Sequence, residues 1–186
     1  MRNRKYRKCV GVILLNDKNK ILVGRRLDHP SGFWQMPQGG INKDENPENA
    51  VWREMLEEIG TNKAKLIRVS NQWINYDIPN DTLATLPWGN NYRGQSQKWF
   101  IFRFLGINED INVGTENPEF SEWKLAKMEL IIDNIVPLFI FALAETNNLS
   151  ESNLVAPYRF IGLQALSVER AITRSILFSK AASIMF

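Results

Sequence analysis

The chain has 186 residues, with 23 basic and 20 acidic side chains, a net charge of +3 and 44% hydrophobic residues. That balance excludes wholesale disorder, and it is too weakly basic to argue for nucleic-acid binding on charge alone. One Cys and one His, Cys9 and His29, exclude an internal disulfide framework, a Cys-rich zinc site and any site needing two histidines. Carboxylates and a hard metal are the tools left for catalysis.

Arg2, Arg4, Lys5, Arg7 and Lys8 precede an apolar run, Cys9 to Leu15, that is short and gives way to a polar turn without a small-residue cleavage site. A strand at Val10–Leu15 with a hairpin partner at Ile21–Arg25 fits better. From Leu27 to Gly40 the composition reads as a loop around a short extended piece, Phe33–Met36, with His29 on its surface. Asn46-Pro47 opens a helix: Asn caps, Pro suits the first helical position, and Glu48 suits the positive end of the dipole. The helix is expected to run to about Ile59 and stop at Gly60.

Strands are expected at about Ala64–Ser70 and Trp73–Asp77, followed by a polar loop through Pro87, Gly89 and Gly94. Lys98–Phe104 alternates as a strand, Phe120–Leu125 as the last strand, and Met128–Ala144 reads as helix interrupted at Pro137. Interleaved strands and helices make the class α/β or α+β. No run is long and unbroken enough to span a bilayer, so the expectation is a soluble, cytoplasmic, reduced protein. Residues 137–186 hold only seven charged side chains against 36 before them; this end reads as a weakly structured tail, a packing appendage or a partner-binding helix.

On a helical wheel, Glu54, Glu57 and Glu58 fall at i, i+3 and i+4, within roughly 100° of arc, with Val51, Met55 and Ile59 on the far side. Like charges at this spacing repel by a few tenths of a kcal/mol per pair. Either water solvates an acidic face, or a divalent cation such as Mg²⁺ or Mn²⁺ compensates it. For three helical glutamates alone the solvated face is the stronger reading, and a resemblance in the surrounding residues reverses it. Gly39, then Glu45 after five residues, then Arg53-Glu54-Met55-Leu56-Glu57-Glu58-Ile59-Gly60 after seven more, resembles the Nudix box G-x5-E-x7-R-E-U-x-E-E-x-G-U, where U is bulky and apolar. All seven fixed Gly, Glu and Arg positions match, a coincidence on the order of 10⁻⁸ or below at background frequencies. Thr61 at the final U is the one departure.

The resemblance implies a Nudix-like α/β/α sandwich with a mixed central sheet and a loop–helix–loop catalytic motif. It implies hydrolysis of a phosphoanhydride with Mg²⁺ or Mn²⁺ as cofactor, held by the Gly39 carbonyl, Glu54, Glu57 and Glu58. Glu57 is the candidate to orient or deprotonate the attacking water, Arg53 braces a carboxylate, and Glu45 supports.

Flanking residues narrow the resemblance to bacterial RNA pyrophosphohydrolases and the related dinucleoside polyphosphate hydrolases. Trp34-Gln35-Met36-Pro37-Gln38-Gly39-Gly40-Ile41, Gly94-Gln95-Ser96-Gln97-Lys98-Trp99-Phe100, Pro118-Glu119-Phe120 with Trp123, and Trp73 with Tyr76 and Pro79 resemble that group's motifs in order. Glu119 is implied as a further metal ligand; Arg25, Arg26, Gln38, Tyr76, Gln95 and Lys98 as contacts to an RNA 5′ end. Trp99 and Phe100 read as core. Where the group has a Phe-Lys pair, this chain has Phe139 without the Lys, so Phe139 alone is left to stack on a base.

The expected hydrolase domain is 6–149, with 150–186 a divergent appendage. The partner is 5′-triphosphorylated RNA or a dinucleoside polyphosphate, handled by a monomer; a non-catalytic RNA- or nucleotide-binding module is the third reading. Residues 39–60 carry six acids and two bases, net −4, which leaves the rest of the chain at +7. An acidic pocket in a basic surround suits a metal-loaded site for polyphosphate.

Overall fold

The computed structural model describes residues 4–28 and 33–127. Eight strands form one mixed sheet: β1 (Lys5–Leu15), β2 (Ile21–Arg26), β3 (Trp34–Gln35), β4 (Gln38–Gly40), β5 (Ala64–Val69), β6 (Ile74–Asp77), β7 (Tyr92–Phe104) and β8 (Phe120–Ala126). The central path runs β3-β2-β1-β7-β5, with β4 paired to β1, β6 to β7 and β8 to β2. Among the described strands only β1 and β7 run parallel, from Tyr6 opposite Gly94 to Leu15 opposite Arg103. Every other pairing is antiparallel.

Strand alternation divides the apolar residues between two faces. Val10, Val12, Leu14, Phe100 and Phe102 meet Val51, Met55 and Ile59 of α1 (Pro47–Ile59), while Ile13, Leu15, Val23, Trp99 and Ile101 form a second core on the other face. Both Trp99 and Phe100 are buried, as their apolar runs lead one to expect. The helix begins and ends where its caps predict: the Asn46 side chain accepts from the Asn49 N–H at 2.8 Å, and Gly60 takes the left-handed conformation at φ 69°, donating its N–H to Leu56 O.

Four elements differ from the sequence reading. Strand β1 starts at Lys5, five residues before the expected Val10, because β7 pairs with its polar start. Strand β7 starts at Tyr92, six residues before the expected Lys98. Gly94, Gln95, Ser96 and Gln97 have poor intrinsic strand preference, but β1 and β6 flank them and complete their hydrogen bonds, so tertiary pairing overrides propensity. Gly94 is required for closeness: a Cβ there would stand 2.0 Å from Tyr76 O. The two glycines of β4 read as loop, yet they pair with Cys9 and Val10. Finally, the polar stretch before β7 holds a short helix, α2 (Asn80–Thr85). The apolar helix expected at Met128–Ala144, together with His29, Phe139 and the tail, lies outside the described residues. No helix among the described residues is long and apolar enough to cross a membrane.

Candidate active site

Helix α1 lies along β4 because its buried stripe docks on β1 and β7, and this sets the direction of its acidic residues. The wheel placed the three glutamates on one face away from the core. The structure separates them: Glu54 and Glu58 are turned inward, 7% and 1% exposed, while Glu57 stays in solvent. Glu54 lies against Gly39, where no side chain stands between strand and carboxylate; a Cβ at Gly39 would come within 2.0 Å of Glu54 Oε2. Glu58 Oε2 accepts the Gln38 N–H at 3.0 Å, while its Oε1 is buried with no hydrogen-bond partner.

Glu119, immediately before β8, faces the same place, with its carbonyl accepting the Leu27 N–H at 3.0 Å and its charge acting on Glu58 and Glu54. Burial first, and then the charges of Glu119 and Glu54, push the Glu58 carboxyl well above the ordinary carboxylate range; Glu119 is also within hydrogen-bond reach of it. Burial raises the Glu54 carboxyl as well, with the charge of Arg53 opposing it.

Arg53 ties this cluster together. Its Nε and Nη2 grip Glu45 at 2.9 Å each, Nη1 donates to Glu54 Oε1 and Glu57 Oε2 at 2.8 Å, and Nη2 also reaches Gly40 O at 2.8 Å. Glu45 is itself oriented by the Asn42 N–H at 2.9 Å, and its carboxyl is lowered, chiefly by the Arg53 hydrogen bonds. The guanidinium therefore stands in for positive charge beside Glu54 and Glu57. Among the described residues no three acidic side chains converge tightly enough to form a ready-made metal cage.

The donor set nevertheless fits a hard divalent cation. Buried carboxylate oxygens repel one another, one of them lacks any partner, and a glycine leaves the space open. Glu54, Glu58 and Glu119, with Glu57 beside them, are the residues able to hold it.

The expected substrate contacts fall on two sides of the sheet. Register between β1 and β7 is unbroken from Gly94 onward, so Gln95 and Gln97 share one face, and Ser96 and Lys98 the other. On the first face the Tyr76 hydroxyl donates to Gln95 Oε1 at 2.5 Å, and Gln97 Nε2 donates to Gln38 Oε1 at 2.5 Å and Gln95 Oε1 at 3.2 Å. Burial pushes the Tyr76 hydroxyl far up, while the charges of Arg26 and Arg7 oppose the shift.

Lys98 is instead turned toward Asn71 O at 3.1 Å and lies 6.0 Å from the Trp73 ring, beside Lys8 at 3.8 Å. Arg25 pairs with Glu122 in solvent at 2.9 Å. Arg26 pairs with Asp28 and donates to Gln35 at 3.2 Å. Two neighbours were missed as site candidates. Gln97 is 1% exposed, and Arg7 occupies the space beside Gly40, where a Cβ would stand 2.0 Å from its Nη2. Alternation would have found both had the starts of β1 and β7 been recognised.

The NUDIX domain family model matches residues 5–169. The RNA pyrophosphohydrolases of Rickettsia bellii and Rickettsia conorii are 50% and 48% identical over 132 residues, covering 71% of this chain and 81% of each relative. Among solved structures, a MutT protein from Methanosarcina mazei superposes with a TM-score of 0.58 at 18% identity, covering 81% of this chain and all of the other. A C. elegans Ap4A hydrolase superposes with 0.53 at 16% identity, covering 76% of this chain and 95% of the other. At such identities these two show the shared fold. The glutamate helix over a glycine strand, the fold and the family match together make the chain a member of the Nudix family, a hydrolase of phosphoanhydride bonds.

Proposed function

We propose that this Nudix hydrolase removes pyrophosphate from the 5′-triphosphate end of RNA, leaving a 5′ monophosphate and so promoting RNA decay. The observation that carries the reading is the identity of about half of 132 residues to RNA pyrophosphohydrolases of two Rickettsia species. The polar line Tyr76–Gln95–Gln97–Gln38 leads to the acidic helix, and its half-buried members Tyr76, Gln95 and Gln38 are the ones suited to a nucleotide end.

Glu54, Glu57, Glu58, Glu119 and the Gly39 carbonyl hold the divalent cation, Mg²⁺ in the first instance and Mn²⁺ as a substitute. When bound, the cation supplies positive charge that offsets the phosphates and acidifies water. Glu57, the one box glutamate left in solvent, accepts the proton of the water that attacks phosphorus, and the bond to the leaving pyrophosphate oxygen breaks. Arg53 keeps Glu57 and Glu54 in place. Arg26, Gln38, Tyr76 and Gln95 seat the 5′ end, with Arg25, Lys98 and Phe139 as outer contacts.

Residues 6–149 are proposed as the hydrolase domain and 150–186 as an appendage, and the enzyme as a cytoplasmic monomer. A mass of one chain in light scattering checks the last point. The deciding experiment compares kcat/KM on 5′-triphosphorylated RNA and on diadenosine tetraphosphate with Mg²⁺. A clear preference for RNA is expected; preference for the dinucleotide overturns the substrate assignment. Tight RNA binding with no Mg²⁺-dependent product overturns the enzymatic one.

A further inference from the structure

Gln97 is an amide in a place where an apolar side chain would do. It is 1% exposed, and its Oε1 is buried without a partner. Such a group costs stability relative to a hydrocarbon of its size, so its contribution lies in what it holds. Its Nε2 holds Gln38 Oε1 at 2.5 Å, across the top of β1. On β1 the residues between them are Cys9 and Gly11, and the Trp99 ring covers Gly11. Cys9 lies opposite Gly40 and Gln97, and Gly11 opposite Gln38 and Trp99. Gln38 in turn donates its backbone N–H to Glu58 Oε2 at 3.0 Å.

We propose that Gln97 is a positioning residue for the cation site, acting from the far face of the sheet through Gln38 on Glu58. The inference rests on reading Glu58 as a cation-holding group. By pinning the Gln38 side chain, Gln97 restricts the only peptide that binds Glu58 in the described residues. One carboxylate oxygen is thereby committed to the backbone, and the other, Oε1, stays unpaired for a cation. The line continues outward, since Gln95 Oε1 accepts from both Gln97 and the Tyr76 hydroxyl. Gln95, Gln97 and Gln38 thus link the Tyr76 hydroxyl to the peptide that aims Glu58. Outer partners of metal ligands act in this way, by fixing the orientation of a ligand they do not replace.

The test is a double-mutant cycle on Mn²⁺ affinity, read by electron paramagnetic resonance of free Mn²⁺ over the RNA-free full chain. It uses the parent, Gln97→Leu, Gln38→Leu, the double variant and Glu58→Gln. Each single glutamine variant is expected to raise the Mn²⁺ Kd about 10-fold, the lower end for such partners. The double variant is expected to be no weaker than either single, because both remove one bridge. In turnover by Gln97→Leu, the Mg²⁺ half-saturation should rise in step.

A Gln97→Leu protein that melts earlier yet binds Mn²⁺ like the parent, while Glu58→Gln binds weakly, overturns the positioning role. So do additive losses in the double variant. If Glu58→Gln itself binds Mn²⁺ like the parent, the reading of Glu58 fails and the proposal with it. Should Gln97→Leu not fold, Gln97→Met tests the same bridge with a more adaptable side chain.

Discussion

Gly39 and Glu54 are in direct contact: a single carbon added at residue 39 would stand 2.0 Å from Glu54 Oε2 and 2.2 Å from Oε1. The glycine is required for space and not for an unusual backbone, since Gly60 is the glycine with positive φ among the described residues. Gly39→Ala should therefore fold, displace the Glu54 carboxylate by about 1 Å, and lower kcat/KM by about 100-fold. Steady-state kinetics with Mg²⁺, alongside far-UV circular dichroism, checks it. A variant with parental kinetics would show that Glu54 does not need its observed position.

Arg53 bonds to Glu45, Glu54, Glu57 and Gly40 O at once. Lysine keeps the charge but loses the planar fork that grips Glu45 through two nitrogens. Arg53→Lys is expected to lose activity by about 10-fold and Arg53→Ala by about 100-fold, with destabilisation on the order of 1–3 kcal/mol for the latter, as for other losses of bonds between charged groups. Denaturant unfolding and kcat separate the two effects. Equal activity in both variants would remove Arg53 from the positioning of Glu54 and Glu57.

The raised carboxyls of Glu58 and Glu54 make a signed prediction for metal-free protein. In the folded state both groups hold their protons at pH values where the unfolded chain has released them. Stability should therefore increase as pH falls from above the folded Glu58 value toward the ordinary 4.5, and be lost in the opposite direction. In EDTA, the Tm is expected to be higher at pH 5 than at pH 8, by roughly 2–4 °C for each kcal/mol gained. Glu58→Gln should flatten that slope and raise the Tm at pH 8 while abolishing turnover. A metal-free Tm that falls steadily between pH 8 and pH 5 contradicts the assigned burial.

Cys9 is the sole cysteine, 1% exposed, and burial pushes its thiol up to about 11. At pH 8 the native thiol should resist a disulfide reagent for hours and react within minutes in guanidinium chloride, because thiolate and access are both withheld. Rapid modification of native protein would mean that β1 opens readily beneath the Gln38–Gln97 bridge.

The proposed boundary at residue 149 predicts that a chain ending there retains Mg²⁺-dependent hydrolysis of small phosphoanhydrides within a fewfold of the full chain. Parallel assays of both chains, with circular dichroism for folding, decide it. Loss of activity in a folded shorter chain would place residues 150–186 in the catalytic unit.

By itself, the amino-acid sequence determined whatever rests on local chemistry. Asn46 and Pro47 start α1 and Gly60 ends it, because caps depend on neighbours within one turn. Helical spacing grouped Glu54, Glu57 and Glu58 within one arc, because a helix converts sequence separation directly into angle, while Arg53 was singled out by the resemblance to the Nudix box. The tertiary structure decided what depends on partners far away in the chain. Gly39, Gly40 and Gln95–Gln97 become strands only because β1 supplies hydrogen bonds from 30 to 90 residues away. Turning Glu58 inward and leaving Glu57 outside follows from docking α1 on β1 and β4. The helical wheel could not separate them, since it contains no partner. The extension of β7 back to Tyr92 puts Lys98 on the face opposite Gln95, a division that period-two alternation makes obligatory once both lie in one strand. The charge of +3 is similarly divided in space, with buried carboxylates gathered at Gly39 and guanidinium groups around Tyr76, because the fold alone brings residues 26, 39, 58, 76 and 119 to one place.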